Sequence, residues 1–275
     1  MSQENTLNNI LVAIDPSENE QYALQRAFMM NKIVEGGIKI HLFIAMDLEK
    51  LHKIHDAHDY YCDDKWLAGI YKLLDDENID YTVEIIWTES WHFSILDAAK
   101  RHSSHMIILS DYRSNKKRTE LSSSKWSLLR DSKCPVLIVD PSSNLRRKTV
   151  LAAVNMQTSN PKYAELNKNI TRISSMIASS YGAEKHIVNA YESSDQFPDR
   201  AKIIREADVK QENIHVKSGN PVDNVTEVAD EIDADVVIIG TLARKGVMAA
   251  MRGNKSEEII HKLNRDVMVI NSATV

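Results

Sequence analysis

The sequence predicts an α/β protein made of two tandem copies of one domain, each an open parallel sheet flanked by helices. Three observations predict it. Short aliphatic runs alternate with amphipathic stretches, the pattern of strands joined by right-handed helical crossovers. The runs are apolar at successive rather than alternate residues, as suits strands buried on both faces. The series is also written twice. "NNILVAIDPSENEQYALQRA" at 8–27 is answered by "KTVLAAVNMQTSNPKYAELNK" at 148–168, "SHMIILSD" at 104–111 by "ADVVIIGT" at 234–241, and "KCPVLIVD" at 133–140 by "NRDVMVIN" at 264–271. Three correspondences in one order, offset by about 130 to 140 residues, identify a duplication.

In the first copy the apolar runs place strands near 10–14, 39–46, 81–87, 105–109 and 135–139. Helical patterns fill the gaps at 18–35, closed by Gly36 and Gly37, at about 60–76, at 93–101 and at 123–131. Trp66, Ile70, Leu73 and Leu74 share one face of the second of these. The second copy predicts strands near 150–154, 184–190, 213–217, 235–239 and 267–271, with helices near 161–180, 221–231 and 254–263. The polar, turn-forming segment "PSSNLRRK" at 141–148 separates the copies, which places the domains at 1–143 and 144–275.

The 275 residues are enough for roughly two domains, and 43% hydrophobic with 27% charged residues is an ordinary globular composition. A net charge of −5 argues against general affinity for nucleic acid or an anionic membrane. "MSQENTLNN" lacks the basic and apolar regions of a signal peptide, and no apolar run is of membrane-spanning length, so a cytoplasmic location is expected. Cys62 and Cys134 form no disulfide framework or metal spacing, and Cys134, beside "PVLIV", reads as a core filler.

In open parallel sheets ligands sit beyond the carboxyl ends of the strands. The residues there are Asp15 and Asn155 after the first strands, and the loops after the fourth. In the second copy that loop is "GTLARKGVMAAMRGNKSEE", 240–258. Gly240 permits a tight turn out of the strand, and Gly253 lets backbone N–H groups approach an anion. Asn254 and Ser256 open a helix whose N-terminus favours negative charge, and Arg244, Lys245, Arg252 and Lys255 surround it. The same residues also read as a helix cap, Asn254 with Glu257 forming a variant capping box that needs no ligand.

These stretches, together with "KWSLLRDSKCPVLIV", "VKSGNPVDNV" and "RGNKSEEIIHKLNRDVMVI", resemble the universal stress proteins, specifically their tandem E-type members, over nearly the whole chain. The resemblance implies that each half is a five-stranded parallel sheet of order 3-2-1-4-5, the halves pairing through their fifth strands to mimic the family dimer. It also implies a stress-response role. Nucleotide-binding members carry Gly-x2-Gly-x9-Gly and a hydroxyl residue after the fourth strand, with an Asp after the first that holds the adenosine end. Here Gly240 meets the first glycine, Ala243 stands at the second, Gly253 meets the third, Asn254 replaces the hydroxyl residue, Ser256 keeps a later hydroxyl, and Asn155 replaces the Asp. In the first copy Asp15 is kept, but the loop "SDYRSNKKRTELSSSKW" has no glycine: Arg113 and Ser122 to Ser124 stand where backbone must come close.

Between the second and third strands the second copy is shorter, "ESSDQFPDRAKIIREADVKQE", which cuts the usual helix to about two turns near 199–206 and opens either a less closed pocket or an apolar groove. His52, His55, His58, Asp59 and Cys62 in "KLHKIHDAHDYYCDDK" match no standard metal spacing and read as solvated polar residues, so no metal site is assigned. No nucleophile–base ordering emerges. Trp91, His92 and Phe93 read as a packing cluster at a helix start, and Trp66 and Trp126 as packing residues.

The expectation is therefore a non-enzymatic stress-response protein binding ATP or a similar nucleotide weakly in its second domain, through Asn155, Gly240, Ala243, Gly253, Asn254 and Ser256. A slow ATPase and an apolar-ligand or partner-binding scaffold are the alternatives. A homodimer is optional, protein partners are unknown, and neither nucleic acid nor membrane is expected.

Overall fold

The computed structural model describes residues 7–47, 63–111, 122–242 and 255–272. By internal contacts the chain divides into two compact units, Met1–Asp111 and Tyr112–Val275.

The first unit contains β1 (Asn9–Ile14), α1 (Tyr22–Ile33), β2 (Lys39–Asp47), α2 (Asp64–Asp76), β3 (Asp80–Thr88), α3 (Trp91–Arg101) and β4 (Met106–Ser110). Its strands are parallel in the order β3-β2-β1-β4. Every residue of β4 is buried, as are Ile10, Leu11 and Val12 of β1, which explains the unbroken apolar runs. Helix α1 begins at Tyr22, later than the apolar spacing suggests. Asp15 closes the preceding turn instead: its Oδ1 accepts from the Ser17 backbone N at 2.9 Å and from Ser17 Oγ at 2.5 Å. Gln21 Nε2 then donates to the Asp15 carbonyl at 2.8 Å, so these residues satisfy each other outside the helix. In α2, Asp63 caps Trp66 N at 2.7 Å and Ile70 and Leu74 are buried, but Leu73 points out with 51% exposure. The i, i+4 pair makes the buried face, and Leu73 lies off it.

The second unit contains α4 (Ser123–Asp131), β5 (Val136–Val139), β6 (Thr149–Val154), α5 (Pro161–Tyr181), β7 (Glu184–Tyr191), α6 (Arg200–Ala207), β8 (Ile214–Ser218), α7 (Pro221–Glu231), β9 (Val236–Thr241), α8 (Lys255–Lys262) and β10 (Asp266–Asn271). Strands β8-β7-β6-β9-β10 are parallel in that order, the 3-2-1-4-5 arrangement, and β5 pairs antiparallel with β10. Helix α4 and strand β5, which the repeat assigns to the first copy, thus fall in the second compact unit.

Helix starts here follow one chemistry. Asn160 Oδ1 accepts from Lys162 N before Pro161, and Asn220 Oδ1 from Val222 N before Pro221, each relieving an orphan amide at a helix whose first residue needs none. Gly182 ends α5 in the left-handed region, φ 61°, which a Cβ disfavours. The short α6 buries Ile203 and Ala207 against α5. The polar link at 141–148 is not a free tether: Arg147 is buried, its Nη2 2.9 Å from Asp266 Oδ2, while Asp266 Oδ1 accepts from Asp140 N at 3.1 Å. Cys134 is half-buried rather than fully packed, and burial raises its thiol pKa to about 11.

Candidate functional site

The strand order of the second unit reverses at β6, whose neighbours are β7 on one side and β9 on the other. A crevice forms there because the crossovers leave to opposite faces of the sheet. A cavity of about 1110 Å³ occupies it. Its floor is Val154 and Asn155 from the end of β6, Ala190 and Tyr191 from β7, and Gly240 and Thr241 from β9. Leu166, Asn167 and Ile170 of α5, Lys255 and Ser256 of α8, and Trp126 and Arg130 of α4 form walls.

Asn155 is held by its backbone. Its N–H donates to Asn167 Oδ1 at 3.0 Å and its carbonyl accepts from Asn167 Nδ2 at 2.7 Å. Its own Oδ1 is buried and has no hydrogen-bond partner among the described residues, a cost of about 1–3 kcal/mol unless water or a ligand supplies a donor. Beside it the loop after β6 is pinned: Asn189 Oδ1 accepts from Met156 N at 2.8 Å, Asn189 Nδ2 donates to Gln157 Oε1 at 2.8 Å, and Gln157 Nε2 donates to the Ala190 carbonyl at 2.9 Å. These bonds fix the cavity's floor before any ligand arrives.

Gly240 lies inside β9 rather than at a turn. A Cβ there would sit 2.6 Å from Leu166 Cδ2 and 3.0 Å from Ile170 Cδ1. A side chain there would press on Leu166 and Ile170 because α5 crosses the strand closely, so the glycine serves close packing rather than the expected tight turn. Ser256 Oγ donates to the Gly240 carbonyl at 2.8 Å, tying the start of α8 to the strand end. Lys255 Nζ lies 2.6 Å from Glu192 Oε1, and both line the cavity. Its charge is therefore largely balanced at the rim.

Ala243, Gly253 and Asn254 lie outside the described residues, as do Arg244, Lys245 and Arg252. So do Arg113 of the first copy's loop and His52, His55, His58, Asp59 and Cys62. Ser122 is a helix cap, its Oγ accepting from Lys125 N at 3.2 Å. His92 meets Trp91 edge-on and Phe93 with ring centroids 4.2 Å apart, but Phe93 is 55% exposed and closes no core. Sequence reasoning missed Trp126, Arg130, Asn167 and Asn189. Trp126 and Arg130 stand at i, i+4 on one face of α4, a visible signal; which sheet that face meets is not readable from spacing.

The universal stress protein family matches residues 6–140 and 169–271, one segment for each copy. The chain belongs to the universal stress protein family. Over 95% of its length it is 24% identical to the universal stress protein E homolog of Haemophilus influenzae, covering 96% of that protein. It is 23% identical to universal stress protein E of Escherichia coli K12, covering 95% of this chain and 93% of that one. A functionally unknown protein from Pseudomonas aeruginosa PAO1 has the same fold, with a TM-score of 0.80 at 24% identity over 97% of this chain and 93% of that chain. A universal stress protein from Archaeoglobus fulgidus DSM 4304 superposes at 0.73 and 20% identity, covering 97% of each chain. No helix among the described residues of this universal stress protein is long and apolar enough to cross a membrane.

Proposed function

We propose that this tandem universal stress protein acts by binding rather than turnover, and that the cavity of its second unit takes ATP or a similar nucleotide weakly. One observation carries the reading: a cavity over the carboxyl ends of β6, β7 and β9 is lined by Asn155, whose buried amide oxygen has no hydrogen-bond partner among the described residues. Once the Asn155 side chain turns toward the cavity, a ribose hydroxyl or an exocyclic amine supplies the donor that oxygen lacks. The phosphates then face the loop carrying Ala243, Gly253 and Asn254 and the start of α8. Two features weaken the phosphate end. The only hydroxyl proton of Ser256 is given to Gly240, and Lys255 is paired with Glu192. A neutral amide at 155 also makes a weaker acceptor than a carboxylate. Affinity is expected at about 0.1–1 mM, or about −5.5 to −4 kcal/mol. The domains of this reading run 1–143 and 144–275, with the antiparallel β5–β10 pairing supporting union of the copies through their fifth strands.

Calorimetric titration of the full chain with ATP, with and without magnesium, tests this against Gly253→Asp. Heat lost in the variant with its fold intact supports the loop as a phosphate site. No heat from the parent chain removes the nucleotide reading. Phe197, 55% exposed beside Tyr191 at 5.3 Å, favours an apolar ligand as the second reading. Binding of an apolar dye by the folded protein, displaced by fatty acid but not by ATP, separates the two.

A further inference from the structure

The geometry points to a divalent-cation site in the first unit, built from His41, Glu84 and His102, that takes Zn²⁺ or an ion of similar preference. It lies in a different compact unit from the cavity above and does not depend on the nucleotide reading.

The three side chains converge from three elements. His41 is on β2, in register with Thr82 of β3, so Glu84, two residues further along β3, projects from the same face. His102 caps the carboxyl end of α3, its N–H donating to the Ala98 carbonyl. Asn9 Nδ2 holds the His102 carbonyl at 2.7 Å, anchoring that cap to β1. Their ligating atoms all lie within 4.8 Å of one another. Glu84 Oε2 is 3.2 Å from His41 Nε2 and 3.6 Å from His102 Nε2. Bonds of about 2.0–2.2 Å at a tetrahedral metal set ligand atoms about 3.3–3.6 Å apart, so the 3.6 Å separation matches an edge of such a site and the 3.2 Å one falls just short of it.

The surroundings supply what a metal site requires. His41 Nε2 is hydrogen-bonded to Glu84 Oε2, and Nδ1 lies 2.7 Å from Thr82 Oγ1, a hydroxyl able to accept the N–H when an ion displaces the proton from Nε2. Burial, followed by the neighbouring His102, lowers the His41 pKa and favours the neutral imidazole. The Arg101 hydrogen bond holds Glu84 below the usual carboxylate range. His41 is buried while the His102 side chain is one-third exposed, so a fourth position opens toward water on the His102 side.

Arg101 competes at this site. Its Nη2 is 2.6 Å from Glu84 Oε1 and its Nη1 3.1 Å from Oε2. The His41 and His102 rings stack at 3.4 Å, 21° from parallel, so His102 must turn for both Nε2 lone pairs to meet one ion. Its place at a helix end permits that rotation. Imidazole with a single carboxylate suits Zn²⁺ and Co²⁺ better than Mg²⁺ or Ca²⁺, which need more oxygen ligands.

The test uses the full chain, stripped of metal by a chelator, titrated with Co²⁺ by visible absorption and with Zn²⁺ by calorimetry. One Co²⁺ per chain with the intense absorption of a low-coordinate ion is expected. His102→Ala and Glu84→Gln should each weaken binding at least about tenfold, and Arg101→Gln should tighten it several-fold by removing the competing cation. His102 and Arg101 are exposed enough that these variants keep their fold, as circular dichroism will verify. Absence of binding in the parent chain, or affinity unchanged across all three substitutions, overturns the site.

Discussion

Ser256 Oγ donates to the carbonyl oxygen of Gly240 at 2.8 Å, so the residue that resembles a phosphate ligand is bonded to its own sheet. The bond joins the first turn of α8 to the end of β9 beside the cavity. Ser256→Ala should therefore cost about 1 kcal/mol in urea unfolding while changing nucleotide affinity less than about threefold. A loss of affinity without loss of stability would return the hydroxyl to the ligand.

Gly240→Ala places a methyl group 2.6 Å from Leu166 Cδ2, and Leu166 is itself buried. Overpacking of this kind costs about 1–3 kcal/mol. Leu166→Ala alone leaves a void, yet the double variant should be less destabilised than the sum of the two singles, because the removed atoms are those the new methyl meets. Chemical denaturation of the four proteins closes the cycle. Simple additivity would mean the contact is not the reason for the glycine.

Asn155→Asp keeps the backbone bonds to Asn167 and turns an amide oxygen with no partner among the described residues into a carboxylate oxygen. On the nucleotide reading, a charge-assisted hydrogen bond to the ligand should strengthen ATP binding by about tenfold, since such bonds are about twice as strong as neutral ones. Calorimetry at pH 7 gives the ratio; unchanged or weaker binding would place the ligand away from residue 155.

Arg147 and Asp266 are both buried and 2.9 Å apart, and removal of the guanidinium takes that cation from the buried carboxylate. Arg147→Ala is expected to cost about 3–5 kcal/mol at neutral pH. Asp266→Asn in the same chain should restore part of that loss, which thermal melts will show as a partial recovery of Tm.

His215 sets an acid limb. Burial, then the neighbouring His186, lowers its pKa; Glu231 opposes and Lys217 adds to the shift. The unfolded chain binds the proton first, so this stability is fully present above the unfolded value of about 6.5 and is lost as pH falls through the folded pKa. Urea midpoints between pH 7.5 and 5 should decline, and His215→Gln should flatten the decline. An equal slope in both proteins would assign the limb to other groups.

Much of this architecture is written locally. Among the described residues the ten strands lie where the apolar runs of the two copies predict them, and in inner strands such as β4 burial on both faces leaves no choice of pattern. Caps such as Asn160-Pro161 and Asn220-Pro221 declare their helices by a chemistry confined to a few residues. Where side chains with no partner in their own segment decide, local reading fails. Leu73 fits an apolar face yet faces water.

The candidate site divides in the same way. While Ala243, Gly253 and Asn254 of the loop signature lie outside the described residues, the place of the cavity at the strand ends beside residues 155 and 240 was legible, since it follows from strand order. The walls were not. Trp126 and Arg130 reach the cavity only because α4 packs in the second unit, and His41, Glu84 and His102 meet although 43 and 18 residues separate them along the chain. Periodicity determines which face of an element is buried, because it acts between near neighbours on one helix or strand. Which distant side chains then share a cavity or converge on one point depends on crossover direction and strand register, and those are settled only when the sheets assemble.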